Sequence, residues 1–235
     1  MRKLLIVLMA ILTISVMGCK KEKLITLSTT STTLHKGETY WISAKCDNPI
    51  TYSSANEYYA TVSAFGTITA NYVGQTTIRL KSEDDNRSFS VTIAPRSNLY
   101  PKPNITFGET KDSVISKYGT PITTNSGNIR YDNYSTNAPF LVVLLDNNGC
   151  VSAYGVAVKS AYTSELADFL GERYEMIGYD GDVFYYRNGL SASTSTMAVV
   201  LQLQNVNYWL VAYMPYDSRG EIDKTDMDRL LKTLE

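Results

Sequence analysis

The stretch Gly66-Thr-Ile-Thr-Ala-Asn-Tyr-Val-Gly-Gln-Thr-Thr-Ile-Arg-Leu80 joins short runs of alternating apolar and polar residues. In its second half Thr76, Ile78 and Leu80 alternate with Thr77 and Arg79. A period of two predicts a half-buried β-strand with one apolar face. Turn residues bound the runs, as expected for the short strands of a β-sandwich.

The same pattern continues on both sides of this stretch. Tyr40–Ala44 and Phe89–Ile93 alternate in the same way. The turn signals between the runs are Lys36-Gly37-Glu38, Asp47-Asn48-Pro49 and Asp84-Asp85-Asn86. Residues 25–95 are therefore predicted to form a β-sandwich.

The order of these segments resembles the bacterial immunoglobulin-like (Ig-like) domain, group 2. The motifs that carry the resemblance are Lys36–Thr39, Ser53–Glu57, Ala60–Ser63, Gly66–Ala70 and Gly74–Ile78. Tyr52 departs from the family, which often has tryptophan before the serine pair. The resemblance implies a spacer or adhesive module and brings no catalytic residue with it.

Residues 95–104 contain three prolines, which favour an extended and semi-rigid chain. We predict a linker over residues 96–104 and a second domain over residues 105–235.

The second domain opens with GETKDSVISKYGTP, residues 108–121. Thr110 is a predicted N-cap, and Gly119 followed by Pro121 predicts the helix end. The apolar stripe is Val114, Ile115 and Tyr118. A phosphate-binding loop needs several glycines before its helix, and only Gly108 is present, so we interpret this helix as scaffold.

The order of helix and strands then recurs. Strands are predicted at Ile129–Tyr134, Leu141–Leu145 and Val151–Val158, then a helix capped by Thr163 or Ser164, then strands at Arg173–Ile177, Val183–Arg187, Met197–Leu203 and Tyr208–Met214. A C-terminal helix with Met227, Leu230, Leu231 and Leu234 follows. The predicted class is mainly β plus α+β: an N-terminal Ig-like β-sandwich followed by a tandem helix-plus-antiparallel-sheet domain.

This second part is similar to the superfamily of β-lactamase inhibitor proteins and the small SmpA/OmlA-type lipoproteins of the outer-membrane assembly machinery. Gly108, Thr110, Val114, Gly119 and Pro121 match the opening pattern of those lipoproteins, and Asp146–Gly149 matches a later turn. Glu109 replaces their usual methionine. The resemblance implies a fold more than a function.

The N-terminus predicts export. Arg2 and Lys3 precede the apolar run Leu4–Met17, too short for a good membrane span, and Gly18-Cys19 follows. This end resembles a bacterial lipobox, which implies a signal peptide over residues 1–18, lipidation of Cys19 and a tether over residues 19–24. The alternative is an ordinary secretory signal. We expect an outer-membrane lipoprotein that faces the periplasm or the outside.

Charge and composition limit the function. The chain has 235 residues, with 22 Lys+Arg against 23 Asp+Glu and no long basic block, which argues against nucleic acid. His35 is the only histidine, so a Ser-His-acid site or a histidine metal site has little support. We predict no catalytic residue, metal or cofactor. Cys46 and Cys150 either form a disulfide or stay as two partly buried thiols.

The candidate binding residues are aromatic side chains on strands: Tyr131, Tyr185, Trp209 and Tyr213. In Tyr208–Met214 both alternating sets are largely apolar. We expect Tyr208, Leu210, Ala212 and Met214 to cover the core and Trp209, Val211 and Tyr213 to face away from it. Two interpretations stay open: the rings form a docking face for an envelope protein or a glycan, or they fill a second core layer.

The lipobox generates the first prediction. Cys19→Ala removes the thiol that the lipoprotein pathway acylates, so the protein should move from the membrane fraction to the soluble fraction of a competent host. Fractionation followed by immunoblotting measures this change, and unchanged membrane association would contradict the anchor.

Overall fold

The computed structural model describes residues 24–216 and 224–233. The N-terminal part consists of nine strands: β1 Thr26–Leu27, β2 Ser31–Leu34, β3 Thr39–Trp41, β4 Ala44–Lys45, β5 Thr51–Ser54, β6 Ala60–Val62, β7 Thr67–Ala70, β8 Gly74–Lys81 and β9 Asn86–Ile93. They form sheets of four strands (β2-β9-β8-β5), three strands (β3-β7-β6) and two strands (β1-β4).

The alternating residues of these strands meet in one core. Ile78, Leu80, Phe89 and Val91 are buried in it together with Ile42. The intervening residues point to solvent, as period-two strands require. The predicted sandwich is confirmed.

Gly66 explains how Tyr52 is accommodated where the family often has tryptophan. Its φ of +79° is in the left-handed region that favours glycine, and a Cβ there would lie 2.9 Å from Tyr52 Cζ. The tyrosine ring therefore lies directly on the glycine.

The C-terminal part contains three α-helices and eight strands. The helices are α1 Lys111–Tyr118, α2 Thr163–Gly171 and α3 Lys224–Thr233. The strands are β10 Thr123–Thr124, β11 Asn128–Asp132, β12 Phe140–Leu145, β13 Val151–Lys159, β14 Glu175–Asp180, β15 Val183–Arg187, β16 Met197–Asn205 and β17 Tyr208–Pro215.

Helix α1 has the predicted bounds and caps. Thr110 accepts a hydrogen bond from the Ser113 amide at 3.3 Å, and Gly119 has a φ of +81° at the other end. Helix α2 differs from its prediction, because Tyr162 stands at the N-cap and makes no side-chain cap. The Thr163 hydroxyl instead donates to the Ser160 carbonyl at 2.6 Å, within a preceding 3₁₀ turn.

Glu109, which replaces the usual methionine, is held by polar partners beneath α1. Its carboxylate accepts hydrogen bonds from the Ser113 and Tyr154 hydroxyls and pairs with Lys117 Nζ at 2.6 Å. Burial opposes its ionisation, but these donors outweigh that effect and lower the pKa of Glu109. This polar group therefore has a structural explanation.

All eight strands belong to one sheet in the order β10-β11-β12-β13-β17-β16-β15-β14. Strands β10–β13 follow α1, and strands β14–β17 follow α2, so each half is a helix followed by an antiparallel meander. The two halves meet where β13 pairs with β17 over Tyr154–Lys159.

Both faces of this sheet are buried at its centre. Helices α1 and α2 pack on one face against Val156, Val199 and Val211. Helix α3 packs on the other face through Met227 and Leu230. A Cβ on Gly155 would lie 2.7 Å from Leu230, so the missing side chain lets α3 approach β13 closely. Leu234 lies outside the described residues.

The segment predicted as a linker, residues 96–104, contributes to this core. Leu99 and Tyr100 are buried in it, and the Tyr100 hydroxyl lies 2.7 Å from that of Tyr213. Asn137 Nδ2 donates to the Leu99 carbonyl at 3.1 Å. The segment is thus built into the sheet domain rather than exposed as a free connector, while the domain boundaries themselves stay a prediction.

The end of α2 contacts the Ig-like domain. The last carbonyls of a helix have no partner inside it. Here Gly171 O accepts from Lys36 Nζ at 2.7 Å, Glu172 O accepts from the Val73 amide at 2.8 Å, and Arg173 O accepts from the Tyr58 hydroxyl at 2.7 Å. The N-terminal domain therefore caps a helix of the C-terminal one.

The buried Glu172 side chain strengthens this junction. Its two oxygens accept the Arg96 amide at 2.8 Å and the Ser97 amide at 3.1 Å. Arg173 Nη1 lies 2.6 Å from the same carboxylate, and Arg173 Nη2 donates to the Ser97 carbonyl at 2.9 Å. The chain that connects the domains is therefore pinned to the end of α2.

We expect Glu172→Ala to lower the free energy of unfolding by about 2–4 kcal/mol, because the buried Ser97 amide, the Arg96 amide and the Arg173 guanidinium lose their acceptor. Urea unfolding measures the loss, and protease sensitivity of residues 96–104 should rise with it. Asp168→Ala, an exposed carboxylate of the same helix, is the matched control. Equal stability of the two variants would contradict the role of Glu172.

Candidate binding surface

The four predicted ring residues do not share one surface. Tyr131 and Tyr213 are buried on the sheet face that α1 and α2 cover. Burial first, and then the neighbouring Tyr100, raises the pKa of Tyr213, so its phenol stays neutral. Trp209 lies on the same face but is only partly buried, and Tyr185 packs on the opposite face near α3.

This placement corrects the expected division of β17. Leu210, Ala212 and Met214 do cover a core, the one beneath α3. Val211 and Tyr213, expected to face away, are also fully buried. The reason is that helices lie on both faces of the central strands, so the interpretation of a second core layer holds for these residues.

A row of aromatic rings lies near one edge of the helix-covered face; Tyr179 in it is exposed, and Phe184 and Trp209 are partly buried. The Tyr179 and Phe184 ring centroids are 6.3 Å apart, and those of Phe184 and Trp209 are 6.4 Å apart. These rings come from β14, β15 and β17. We call Tyr179, Phe184 and Trp209 the aromatic strip.

Aliphatic side chains extend the aromatic strip. Leu203, paired with Trp209 across β16 and β17, is 41% exposed, and Met176 on β14 is 49% exposed. Tyr179 is 72% exposed. Strand β14 is also the last strand of the sheet, and a register shift between Met176 and Gly178 interrupts its pairing. An apolar sheet edge of this kind is uncommon on a monomer.

The orientation of Trp209 is set by a hydrogen bond. Its Nε1 donates to the Thr163 hydroxyl at 2.8 Å, at the start of α2. The indole N–H is therefore already used inside the protein. What Trp209 presents outward is apolar ring surface.

Tyr179 was missed because the predicted strand ended at Ile177. In the structure β14 continues past Gly178, which lies next to a bulge, to Asp180. The sequence did offer a signal: Tyr179 follows the glycine, and it pairs with Phe184 across the turn at Gly181.

Other candidate sites have structural explanations. His35 Nδ1 lies 3.0 Å from the Ala94 carbonyl, within the sandwich. Asp85 accepts the Ile25 amide and pairs with Arg87 at 2.9 Å. Cys46 and Cys150 are partly buried and not joined to each other. Over residues 24–216 and 224–233, no group of three metal-binding side chains occurs.

The predicted membrane attachment is at the N-terminus of the chain. The helices in the described part are all too short or too polar to span a bilayer. The predicted signal peptide, Cys19 and the tether up to residue 23 lie outside the described residues.

Comparison with known families matches residues 23–93 to the bacterial Ig-like domain (group 2). This part of the sequence prediction is confirmed. The match covers less than half of the chain and does not extend to the sheet domain, for which the resemblance to β-lactamase inhibitor proteins and SmpA/OmlA-type lipoproteins stays a prediction. No curated protein matches the chain.

Solved structures show only distant similarity. Domains 4 and 5 of the S-layer protein SbsC share 22% identity over 30% of this chain and 50% of theirs, with a TM-score of 0.27. Domains 5–6 of SbsC share 17% identity over 82% of this chain and 96% of theirs, with a TM-score of 0.28. The C-terminal domain of TagH shares 13% identity over 72% of this chain and 98% of its own, with a TM-score of 0.30.

Because the rings of Trp209 and Tyr179 are buried to different extents, their removal should lower the free energy of unfolding by different amounts. Trp209→Ala should lower the free energy of unfolding by about 2–3 kcal/mol, because it leaves a space beside Phe184 and α2. Tyr179→Ala should change it by about 0.5 kcal/mol or less, since most of that ring is in water. Parallel urea titrations test this, and equal losses would show that Tyr179 is structural.

Proposed function

We propose that this protein is a lipid-anchored, non-catalytic protein of the cell envelope. In this proposal the Ig-like domain is a spacer, and the sheet domain binds an envelope protein through the aromatic strip. The proposed address is the outer membrane, facing the periplasm or the outside.

The observation that carries the binding role is the aromatic strip with its aliphatic border. Tyrosine and tryptophan provide large contact area at a low cost in conformational entropy, and they dominate protein interfaces. Met176 on the edge strand β14 and Leu203 on β16 add exposed apolar area beside it. A partner that covers them would remove exposed apolar surface from water, which is favourable.

The shape of the aromatic strip favours a protein over a glycan. The planes of Tyr179 and Phe184 differ by 33°, and those of Phe184 and Trp209 differ by 60°, so the rings do not make one flat platform. The Trp209 N–H is bonded to Thr163 and is not offered to a sugar hydroxyl. Carbohydrate binding by the same surface, in an adhesive surface lipoprotein, is the second candidate because exposed aromatic rings are its main requirement.

The spacer role follows from the two ends of the sandwich. Strands β8 and β9 pair along their whole length, from Gly74 opposite Ile93 to Lys81 opposite Asn86. Contacts with the sheet domain lie at the first end, at Val73 and Arg96, whereas Ile25 is bonded to Asp85 at the second. Eight-residue strands separate these ends by about 25 Å. A lipid on Cys19 would thus be separated from the sheet domain by the length of the Ig-like domain.

Site-specific photo-crosslinking in the envelope tests the binding role. A photoreactive phenylalanine analogue at position 179 should give a discrete adduct in living cells. The same analogue at position 122, an exposed residue beyond the opposite sheet edge, should give none. Leu203→Ser should weaken the adduct at position 179, because a hot-spot neighbour contributes about 2 kcal/mol.

The chemistry of the adduct then separates the candidates. Removal of the adduct by protease, with identification of a single envelope protein, supports the first function. An adduct that is shortened only by glycosidases would instead support carbohydrate binding, the second candidate function. Equal, diffuse labelling from positions 179 and 122 would contradict both.

A further inference from the structure

A second exposed aromatic surface lies on the Ig-like domain, at the end away from the sheet domain. Trp41 is 61% exposed and Phe65 is 84% exposed. Trp41 Nε1 donates to the Phe65 carbonyl at 3.2 Å, which holds the two residues together. They border an open groove of about 640 Å³ whose other walls include Lys45, Pro49, Ile50 and Tyr52. We call Trp41, Phe65 and this groove the distal surface.

The distal surface is next to the point where the N-terminal chain enters the domain. Thr26 on β1 pairs with Lys45 on β4, and Lys45 lines the groove. Leu24, just before β1, is 47% exposed. The described part of the chain therefore begins next to a strand, β4, that lines this groove.

The length of that chain limits how far this end can be from an anchor. Four residues lie between Cys19 and Leu24, so the two are five chain steps apart, and a fully extended chain spans at most about 3.6 Å per step, or about 18 Å in all. A lipid on Cys19 thus keeps Leu24, which shortly precedes the strand paired with Lys45 of the groove, within about 18 Å of the bilayer. This step rests on the lipid anchor of the proposed function.

We propose that the distal surface lies on the lipid bilayer itself, with Trp41 and Phe65 in the headgroup interface. Tryptophan suits this layer because its ring is apolar and its N–H is polar. Insertion would take two large exposed rings out of water, and the anchor supplies a high local concentration that makes a weak contact sufficient. The Ig-like domain would then stand on the membrane in a defined orientation.

Charge predicts which lipids this contact needs. Asp47, Glu83 and Asp84 are exposed near the chain entry, and Asp85 is engaged with Arg87. The basic groups at this end are Lys45, which lines the groove, Lys81, which pairs with Asn86 across β8 and β9, and Lys20, Lys21 and Lys23 of the tether. On the domain itself the exposed acidic groups offset these lysines, so insertion of the two rings should already occur on zwitterionic phosphatidylcholine and should not require phosphatidylglycerol.

The two tryptophans provide a matched pair of reporters. The chain from Cys19 onward, with Cys46→Ser and Cys150→Ser, can be coupled through Cys19 to a maleimide lipid in phosphatidylcholine vesicles. Trp209→Phe leaves Trp41 as the only indole, and Trp41→Phe leaves Trp209, on the far domain. The probe is a phosphatidylcholine that carries a nitroxide quencher just below the headgroup.

We expect Trp41 emission to shift to the blue and to be quenched several-fold more strongly than Trp209 emission. Phe65→Ser should reduce the quenching of Trp41, whereas Tyr179→Ser, on the sheet domain, should leave it unchanged. Both substituted rings are mostly exposed, and an unaltered urea transition of each variant confirms that it folds.

Equal quenching of Trp41 and Trp209 would overturn the proposal. Quenching of Trp41 that appears only with phosphatidylglycerol and that added salt abolishes would also overturn it, because the contact would then be electrostatic. The emission spectrum of Trp41 could also stay unchanged with vesicles and change with soluble glycan fragments. That result would show that the distal surface binds a glycan and not the bilayer. The lipid is supplied chemically at Cys19, so these outcomes are independent of whether cells acylate Cys19, which the fractionation of Cys19→Ala measures separately.

Discussion

The organisation of the C-terminal half depends on one constraint: strands β13 and β17 carry apolar side chains on both faces. A sheet with two apolar faces must be covered twice. Helices α1 and α2 cover one face, and α3 covers the other at Gly155. Two short helices do not fill the first face, and Leu99 and Tyr100 complete it. The connection between the domains is thereby drawn into the core.

This coverage explains why the Ig-like domain is held in place. Once residues 96–104 are packed on the sheet, the preceding residues must lie beside the end of α2. The carbonyls of Gly171, Glu172 and Arg173 need partners there, and the side chains and amides of the Ig-like domain supply them. A helix end is thus satisfied by a neighbouring domain. These hydrogen bonds stabilise the contact, because polar groups that the contact removes from water are paired and not left unsatisfied.

The surface that stays exposed follows from the same arrangement. The covering elements lie over the centre of the sheet and not over its last strands, so Tyr179, Met176 and Leu203 remain in contact with water. Trp41 and Phe65 are exposed on the other domain, at its end away from the sheet domain. The two apolar surfaces lie at separate places on the protein, with the length of the Ig-like sandwich between the distal surface and the sheet domain. Such a distribution suits a protein that contacts a support at one end and a partner at the other.

The amino-acid sequence by itself determined the local structure. Period-two alternation located β8 and β9 and their buried residues, because in a strand successive side chains point to opposite faces. Thr110 and Gly119 defined the ends of α1, because caps act within one turn of the chain. Val183–Arg187 matched its strand residue for residue. Only the tertiary structure decided that both apolar faces of the sheet would be covered, and by which elements. Tyr213 was therefore misplaced, Tyr179 was missed behind a bulge, and the polar junction at Glu172 was not foreseen. Each of these depends on contacts between residues distant in the chain, and a local pattern carries no information about the neighbour on the other side.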